Sequence, residues 1–392
     1  MFNTIDLFVG CGGLSEGFEQ SRKYKKIGAV EWEPSPVKEL RNHLKNRWGI
    51  QDSEERVLQF DIQRTEELFN GWKDKKFGES KGLDALVGNR QLDVIIGGPP
   101  CQAYSVAGRI RDEHGMREDY RNYLFESYLK VVQHYKPRVF VFENVPGILS
   151  AKPGDGSVRI IDLIQKAFAD AGYAVLPDLS NAIIDMTEYG VPQNRKRIII
   201  LGVSKEHYGD KAEAMVEKFY SSYLPEYKIE KKATVRDAIG DLPKLRPLDE
   251  PISYLGRKLS HSVSDPLING HISRFHNKRD IELFKFLEED IASGRMKYTS
   301  AKSLKTLYTK LTGKTSNVHK YYVLRWDEPS NLIPAHLFKD GLRHIHPDPE
   351  QARTITVREA ARLQTFPDDY YFNCSQTDAF KMIGNAVPPL VV

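Results

Sequence analysis

Cys101 is the residue of this chain most obviously set up to make a bond. It follows Pro99 and Pro100, precedes Gln102, and comes straight after the apolar run 92–96 and the turn Gly97-Gly98. A thiol just past a strand end, on a loop stiffened by two prolines, stands where ligands and reacting groups collect in open α/β sheets. Once ionised it can attack an electron-poor carbon. A buried structural cysteine after an ordinary turn would leave the same trace.

Three other clusters carry chemistry. Asp6-Leu7-Phe8-Val9-Gly10-Cys11-Gly12-Gly13 follows a predicted strand and opens a helix, and its glycines let the backbone turn tightly and approach a ligand. Glu31-Trp32 ends the next predicted strand; the carboxylate can take a ribose diol and the indole can stack on adenine. A dinucleotide fingerprint would want glycine at Ser15, so an adenosyl ligand without a pyrophosphate fits at least as well. A glycine turn with no ligand is the plain alternative. Glu143-Asn144-Val145 follows the run 138–142. Burial there disfavours the charged carboxylate, so Glu143 can carry a proton and act as a general acid, unless it only caps a helix or pairs at the surface. In Gln193-Asn194-Arg195-Lys196-Arg197, strand alternation puts Gln193, Arg195 and Arg197 on one face. Two guanidinium groups there suit a phosphate or a carbonyl oxygen; an ordinary basic strand edge looks the same.

The elements that must position these groups alternate. Strands are predicted over 4–9, 26–30, 92–96, 138–142 and 197–203, and helices over 14–20, 36–46, 123–135 and 158–171. That order predicts a largely parallel sheet covered on both faces. Beyond about 205 the prolines at 225, 243, 247, 251 and 266 break the chain into short pieces, which read as a second, irregular domain. Regular signals return over 354–364 and 379–387.

The chain of 392 residues has room for two domains. Its three scattered cysteines make neither a disulfide framework nor a zinc motif, which suits a reducing cytoplasm. No apolar stretch approaches the roughly 20 residues of a membrane span, and the N-terminus lacks the charged and apolar regions of a signal peptide. A formal net charge of +4 permits a polyanionic partner without demanding one. The distribution says more. Between Arg295 and Arg325 lie Lys297, Lys302, Lys305, Lys310, Lys314 and Lys320, with Tyr298, Tyr308, Tyr321 and Tyr322 interleaved and no acidic residue. Such a surface suits phosphates, although a solvated basic face has the same composition.

In chain order the motifs read FxGxGG (8–13), GGPPCQ (97–102), ENV (143–145), QNRKR (193–197), Arg353-x-x-Thr356-x-Arg358-Glu359 and Gly384-Asn385-Ala386-Val387-Pro388-Pro389. This ordered set closely resembles the DNA cytosine-5 methyltransferases that use S-adenosylmethionine. The resemblance covers 4–203 and 353–389; the stretch between has no match, as expected for that family's variable target-recognition region.

The resemblance implies a doubly wound, Rossmann-like α/β methyltransferase domain, 1–205 plus 373–392, and a smaller, irregular target-recognition domain, 206–372, that binds DNA. It makes Cys101 the nucleophile that adds to C6 of cytosine, Glu143 the group that acts on N3, and Arg195 and Arg197 the residues that position the base. It assigns Phe8, Gly10, Gly12, Glu31, Trp32, Asp61, Ile62, Pro99, Leu124 and Asn385 to S-adenosylmethionine, with S-adenosylhomocysteine as product and no metal. With double-stranded DNA as partner, the cytosine must be swung out of the stack. Gln193, Lys302, Lys305 and Lys310 are expected to contact that DNA, and the segment 353–364 to brace the smaller domain. The implied setting is a bacterial restriction-modification system: a monomer, cytoplasmic and nucleoid-associated, with no membrane contact and a restriction endonuclease as genetic partner. The family pattern continues with a helix after Pro389, whereas this chain stops at Val391-Val392. Competing readings are an RNA cytosine-5 methyltransferase, a catalytically silent DNA-binding paralogue, and a nicotinamide oxidoreductase with a reactive cysteine. The long variable region favours DNA over RNA, intact Cys101, Glu143 and Arg195 argue against silence, and the oxidoreductase leaves QNRKR unexplained.

Overall fold

A computed structural model describes residues 1–100, 124–152 and 156–391. They divide into two compact units, one of Met1–Tyr189, Lys196–Glu230 and the residues from Ala386 onward, the other of Gly190–Arg195 and Lys231–Asn385.

The first unit is built on one sheet. Its strands are β1 (Phe2–Leu7), β2 (Tyr24–Glu31), β3 (Val57–Gln59), β4 (Val94–Gly97), β5 (Val139–Asn144), β6 (Tyr173–Ala174), β7 (Ile183–Asp185) and β8 (Lys196–Ser204). Their order is β3-β2-β1-β4-β5-β8-β6, with β7 also paired to β8. Neighbours from β3 through β5 run parallel, and β8 returns antiparallel to β5, β6 and β7. The fold class is therefore the expected α/β one, with a mostly parallel sheet. Strand order reverses between β1 and β4, and a ligand crevice in such sheets lies beyond the carboxyl ends of the strands at that point.

Both faces of the sheet are covered. The unit's longer helices are α1 (Gly13–Gln20), α2 (Pro34–Trp48), α3 (Leu124–Tyr135), α4 (Ile160–Asp170) and α5 (Lys211–Lys218). Ile5, Leu7, Ile95, Phe140 and Phe142 pack with Tyr128 of α3 and Ile164 and Phe168 of α4. Ala29 and Val57 instead meet Val37, Leu40 and Leu44 of α2, as the two-residue alternation of a strand requires. Proline at the start of α2 sacrifices only an amide that a helix leaves unbonded, and Gly49, at φ 66°, ends the helix in the left-handed region.

Three stretches differ from the sequence reading, the first being residues 190–195, which belong with the second unit. Residues 206–230 belong with the first unit: Ala212 and Val216 are buried in its core, and the Tyr220 hydroxyl donates to Ile199 O (2.6 Å) and accepts from Leu201 N (2.9 Å). Residues 373–385 belong with the second unit, where the Arg274 guanidinium lies 4.9 Å from the Phe380 ring centroid.

In the second unit α6 (Lys278–Ala292), α7 (Ala301–Thr312), α8 (Val357–Leu363) and α9 (Gln376–Asn385) accompany a two-stranded ribbon, Pro247–Tyr254 with Arg257–His261. Asn277 and Ser300 side chains cap α6 and α7. Phe284 and Leu287 pack with Leu304, Leu307, Tyr321 and Val323. The segment 353–364 is a buried brace. Arg353 grips Glu359 through two bonds of 2.6 and 2.7 Å, Thr356 and Glu359 form a capping box, and Arg358 donates to the carbonyls of Asn269, Pro367 and Tyr370.

Candidate active site

Register aligns four strand ends in the first unit. Leu7 lies opposite Val30 and Gly97, and Gly97 opposite Phe142. The segments that begin at Phe8, Glu31, Gly98 and Glu143 therefore leave the same edge of the sheet, at the switch point.

The Phe8 loop is held open by its glycines. Phe8, Gly10 and Gly12 have φ of 57°, 56° and 82°. Gly10 N donates to Glu31 Oε2 (2.8 Å), and Glu33 N donates to Oε1 (2.9 Å). Burial pushes the Glu31 carboxyl up, against these two amides. Each oxygen keeps a lone pair for a ribose hydroxyl. A Cβ on Gly13 would lie 2.2 Å from Val387 O, so only glycine lets the chain near residue 387 close on the start of α1. Beneath the loop, Ser15 Oγ donates to Asp6 Oδ2 (2.5 Å), and burial above all pushes Asp6 up to about 7. Ser15 thus ties α1 to β1 where a dinucleotide fingerprint would have glycine. Glu16 joins α1 to α2: it meets His43 Nε2 at 2.7 Å and accepts from Trp48 Nε1 at 2.9 Å. Burial would raise Glu16, but these bonds prevail and hold it below its ordinary value.

Of the other expected cofactor residues, Trp32 is 46% exposed, Asp61 is half-buried and accepts from Gln63 N (3.0 Å), and Ile62 and Leu124 lie in the main core. Asn385 is exposed at the end of α9, in the second unit.

At the ends of β4 and β5 the polar groups interlock. Glu143 is 8% exposed, and its Oε1 lies 2.9 Å from Arg197 Nε. Asn144 Nδ2 donates to Pro99 O (3.2 Å), fixing the buried proline from which the chain runs on. A Cβ on Gly98 would lie 2.6 Å from Glu143 Oε2, so the carboxylate fills the space that a side chain there would need. Cys101 and Gln102 lie outside the described residues.

The QNRKR run divides. Arg197 stands with Glu143 in the first unit, while Gln193 and Arg195 belong to the second. Arg195, buried, reaches Ile333 O (3.5 Å) and Gly384 O (3.3 Å). Gln193, expected to face DNA, is fully buried: its amide donates to Gln364 Oε1 (2.6 Å) and Leu363 O (3.2 Å) and accepts from Ile333 N (2.9 Å). On α7, Lys302 and Lys310 are exposed and Lys305 half-buried, away from the buried Leu304 and Leu307. None of the three pairs with a carboxylate among the described residues. Sequence reasoning missed Asp6, Gly98 and the Glu16–His43 contact. A hydroxyl at position 15, in reach of a strand acid, was the one legible signal among them.

Among the described residues no group of three or more histidines, cysteines or acids could hold a metal ion, and no helix is long and apolar enough to cross a membrane.

Residues 2–392 match the family model of the C-5 cytosine-specific DNA methylases. The Type II methyltransferase M.Bpa9945I of Bacillus paralicheniformis is 34% identical, over 99% of this chain and 96% of its own. The Type II methyltransferase M.AgeI of Thalassovita gelatinovora is 31% identical with the same two coverages. A solved E. coli prophage protein, assigned as a DNA modification methyltransferase, superposes with a TM-score of 0.64 at 23% identity, over all of this chain and 96% of its own; this last likeness speaks for the fold.

Proposed function

This chain belongs to the C-5 cytosine-specific DNA methylase family, and from that premise we propose that it methylates carbon 5 of a cytosine swung out of a short duplex DNA site. S-adenosylmethionine supplies an electrophilic methyl group. The residues fit its adenosyl end: a carboxylate aimed by two amides at Glu31, a glycine-lined turn at Gly10–Gly13 and a half-exposed indole at Trp32.

Carbon 5 of cytosine is too electron-poor to attack a methyl donor. The Cys101 thiolate adds to C6, and Glu143 hydrogen-bonds or protonates N3, so that C5 becomes an enamine carbon. C5 takes the methyl group, its proton leaves to a base, and the C6–S bond breaks to restore the ring and the thiolate. Arg197 holds the Glu143 carboxylate in place and positions the base, while Arg195, buried against the Ile333 and Gly384 carbonyls, fixes the backbone of its own unit. Swinging a cytosine out costs a few kcal/mol, which phosphate contacts from Lys302, Lys305 and Lys310 help to recover. The reading extends to a restriction-modification setting, with a restriction endonuclease as genetic partner.

One observation supports this reading above the others: Glu143, paired with Arg197, fills the space beside Gly98, at the start of the segment that leads to Cys101. Bisulfite sequencing of DNA from cells that express the protein tests the activity and reports the site. A 5-fluorocytosine duplex should leave a denaturation-resistant adduct at Cys101, and Cys101→Ser should keep cofactor binding while losing turnover. Methylation by that variant would overturn the assignment.

A further inference from the structure

We propose that Lys76 is a displaceable cover on the adenine-stacking face of Trp32, which competes with the adenosyl end of the methyl donor. The inference rests on the assignment of Trp32 to adenine.

Lys76 lies in the turn of a short hairpin, Trp72–Asp74 paired with Gly78–Ser80. The turn is locked. Asp74 Oδ1 accepts from Lys76 N (2.9 Å) and Phe77 N (2.7 Å), Asp74 Oδ2 accepts from Arg64 Nη1 (2.6 Å), and Trp72 Nε1 donates to Phe77 O (3.2 Å). Trp72 stacks on Phe60 at 3.8 Å, and Phe77 packs edge-on against both Phe60 (5.2 Å) and Trp32 (5.7 Å). The turn is thereby clamped beside the indole. From it the Lys76 ammonium reaches over Trp32, 3.9 Å from the ring centroid, and lies 4.8 Å from that of Phe77.

Nothing else claims this ammonium: Lys76 pairs with no carboxylate among the described residues, and the nearby Asp74 is engaged by Arg64 and two amides. The side chain is otherwise exposed, so the indole face is its resting partner. An ammonium and an adenine cannot occupy one face of one ring at once. Adenine stacking there displaces Lys76, and the lost cation–π contact subtracts from affinity. At an exposed site that contact corresponds to about two- to five-fold in a binding constant.

The competition is at adenine, so it weighs equally on S-adenosylmethionine, S-adenosylhomocysteine and adenosine. Simple charge repulsion would instead single out the sulfonium of S-adenosylmethionine. Isothermal titration of all three ligands against wild type, Lys76→Met, Lys76→Arg, Trp32→Ala and the Trp32→Ala/Lys76→Met double variant tests the inference. Lys76→Met should bind every ligand about two- to five-fold more tightly. Lys76→Arg, which keeps a cation over the ring, should match wild type, and Lys76→Met should have no effect in the Trp32→Ala background. Unchanged or weaker binding by Lys76→Met, a gain confined to S-adenosylmethionine, or a gain that persists without Trp32 overturns the cover. Undiminished binding by Trp32→Ala overturns it differently, by removing the stacking assignment beneath it.

Discussion

Gly98→Ala adds one methyl group and tests whether the placement of Glu143 matters to the chemistry. The new Cβ would stand 2.6 Å from Glu143 Oε2. To regain ordinary van der Waals separation the carboxylate must retreat by roughly 0.8 Å, or the Pro99 loop must move instead. The far end of a glutamate moves cheaply, so the folding cost should stay near 1 kcal/mol, at the low end of overpacking effects. Catalysis is less forgiving: Arg197 holds the other oxygen at 2.9 Å, and a misplacement of about 1 Å costs on the order of 100-fold in rate. Single-turnover methylation of a duplex should therefore slow by about 10- to 100-fold, with the dissociation constant for S-adenosylhomocysteine and the melting temperature nearly unchanged. A rate within twofold of wild type would refute the idea that Glu143 works from this position. A loss of rate that only tracked unfolding would refute the cost estimate.

The second unit should be acid-labile. Burial drives His261 and His344 down to about 4 and His276 and His346 down to about 3, so the unfolded chain takes up these protons first as pH falls through the ordinary histidine value. Stability should be full above about pH 6.5 and decline toward pH 4, by up to roughly 1.4 kcal/mol per pH unit for each histidine. Buried Glu288, raised well above its ordinary value by burial, acts in the opposite sense, whereas His271, lowered by burial, and Glu359, held low against burial by Arg353, add to the loss. Hydrogen exchange over 231–385 that stayed equally protected at pH 7 and pH 5 would contradict this. Charge reversal at Lys302, Lys305 and Lys310 should weaken duplex binding and flatten its dependence on log salt by about one unit per lysine that touches a phosphate; fluorescence anisotropy across a salt series reads the slope. Gly13→Ala should lower stability by about 1–3 kcal/mol, because its Cβ would meet the Val387 carbonyl rather than a movable side chain. A melting temperature equal to wild type would show that the contact yields.

Glu31 was legible because a strand end, a glycine turn and a carboxylate at the next strand end form a pattern in the chain itself, and the Gly10 amide bond to Glu31 is its physical counterpart. Parallel strands β1, β2, β4 and β5 were legible as apolar runs, whereas three-residue β3 was not. Other features carry no such signature. Two-residue β6 is too short for any periodicity, and Tyr220 lies in a charged stretch although its hydroxyl serves β8. Alternation assigned Gln193 to a face but could not tell that residues 333, 363 and 364 would cover it. The closeness of Gly98 to the Glu143 carboxylate arises between the ends of neighbouring strands, and only register reveals it.

The seat at Gly13 has a consequence for biosynthesis. Val387 emerges from the ribosome only after the entire second unit, and at 5–20 residues per second that wait is on the order of 10–30 s. Nascent chains carry the whole central sheet through this interval while the start of α1 is not yet covered by the chain near residue 387. A ribosome stalled before codon 386 would hold a chain whose central sheet is complete and whose Gly13 still faces no Val387 carbonyl.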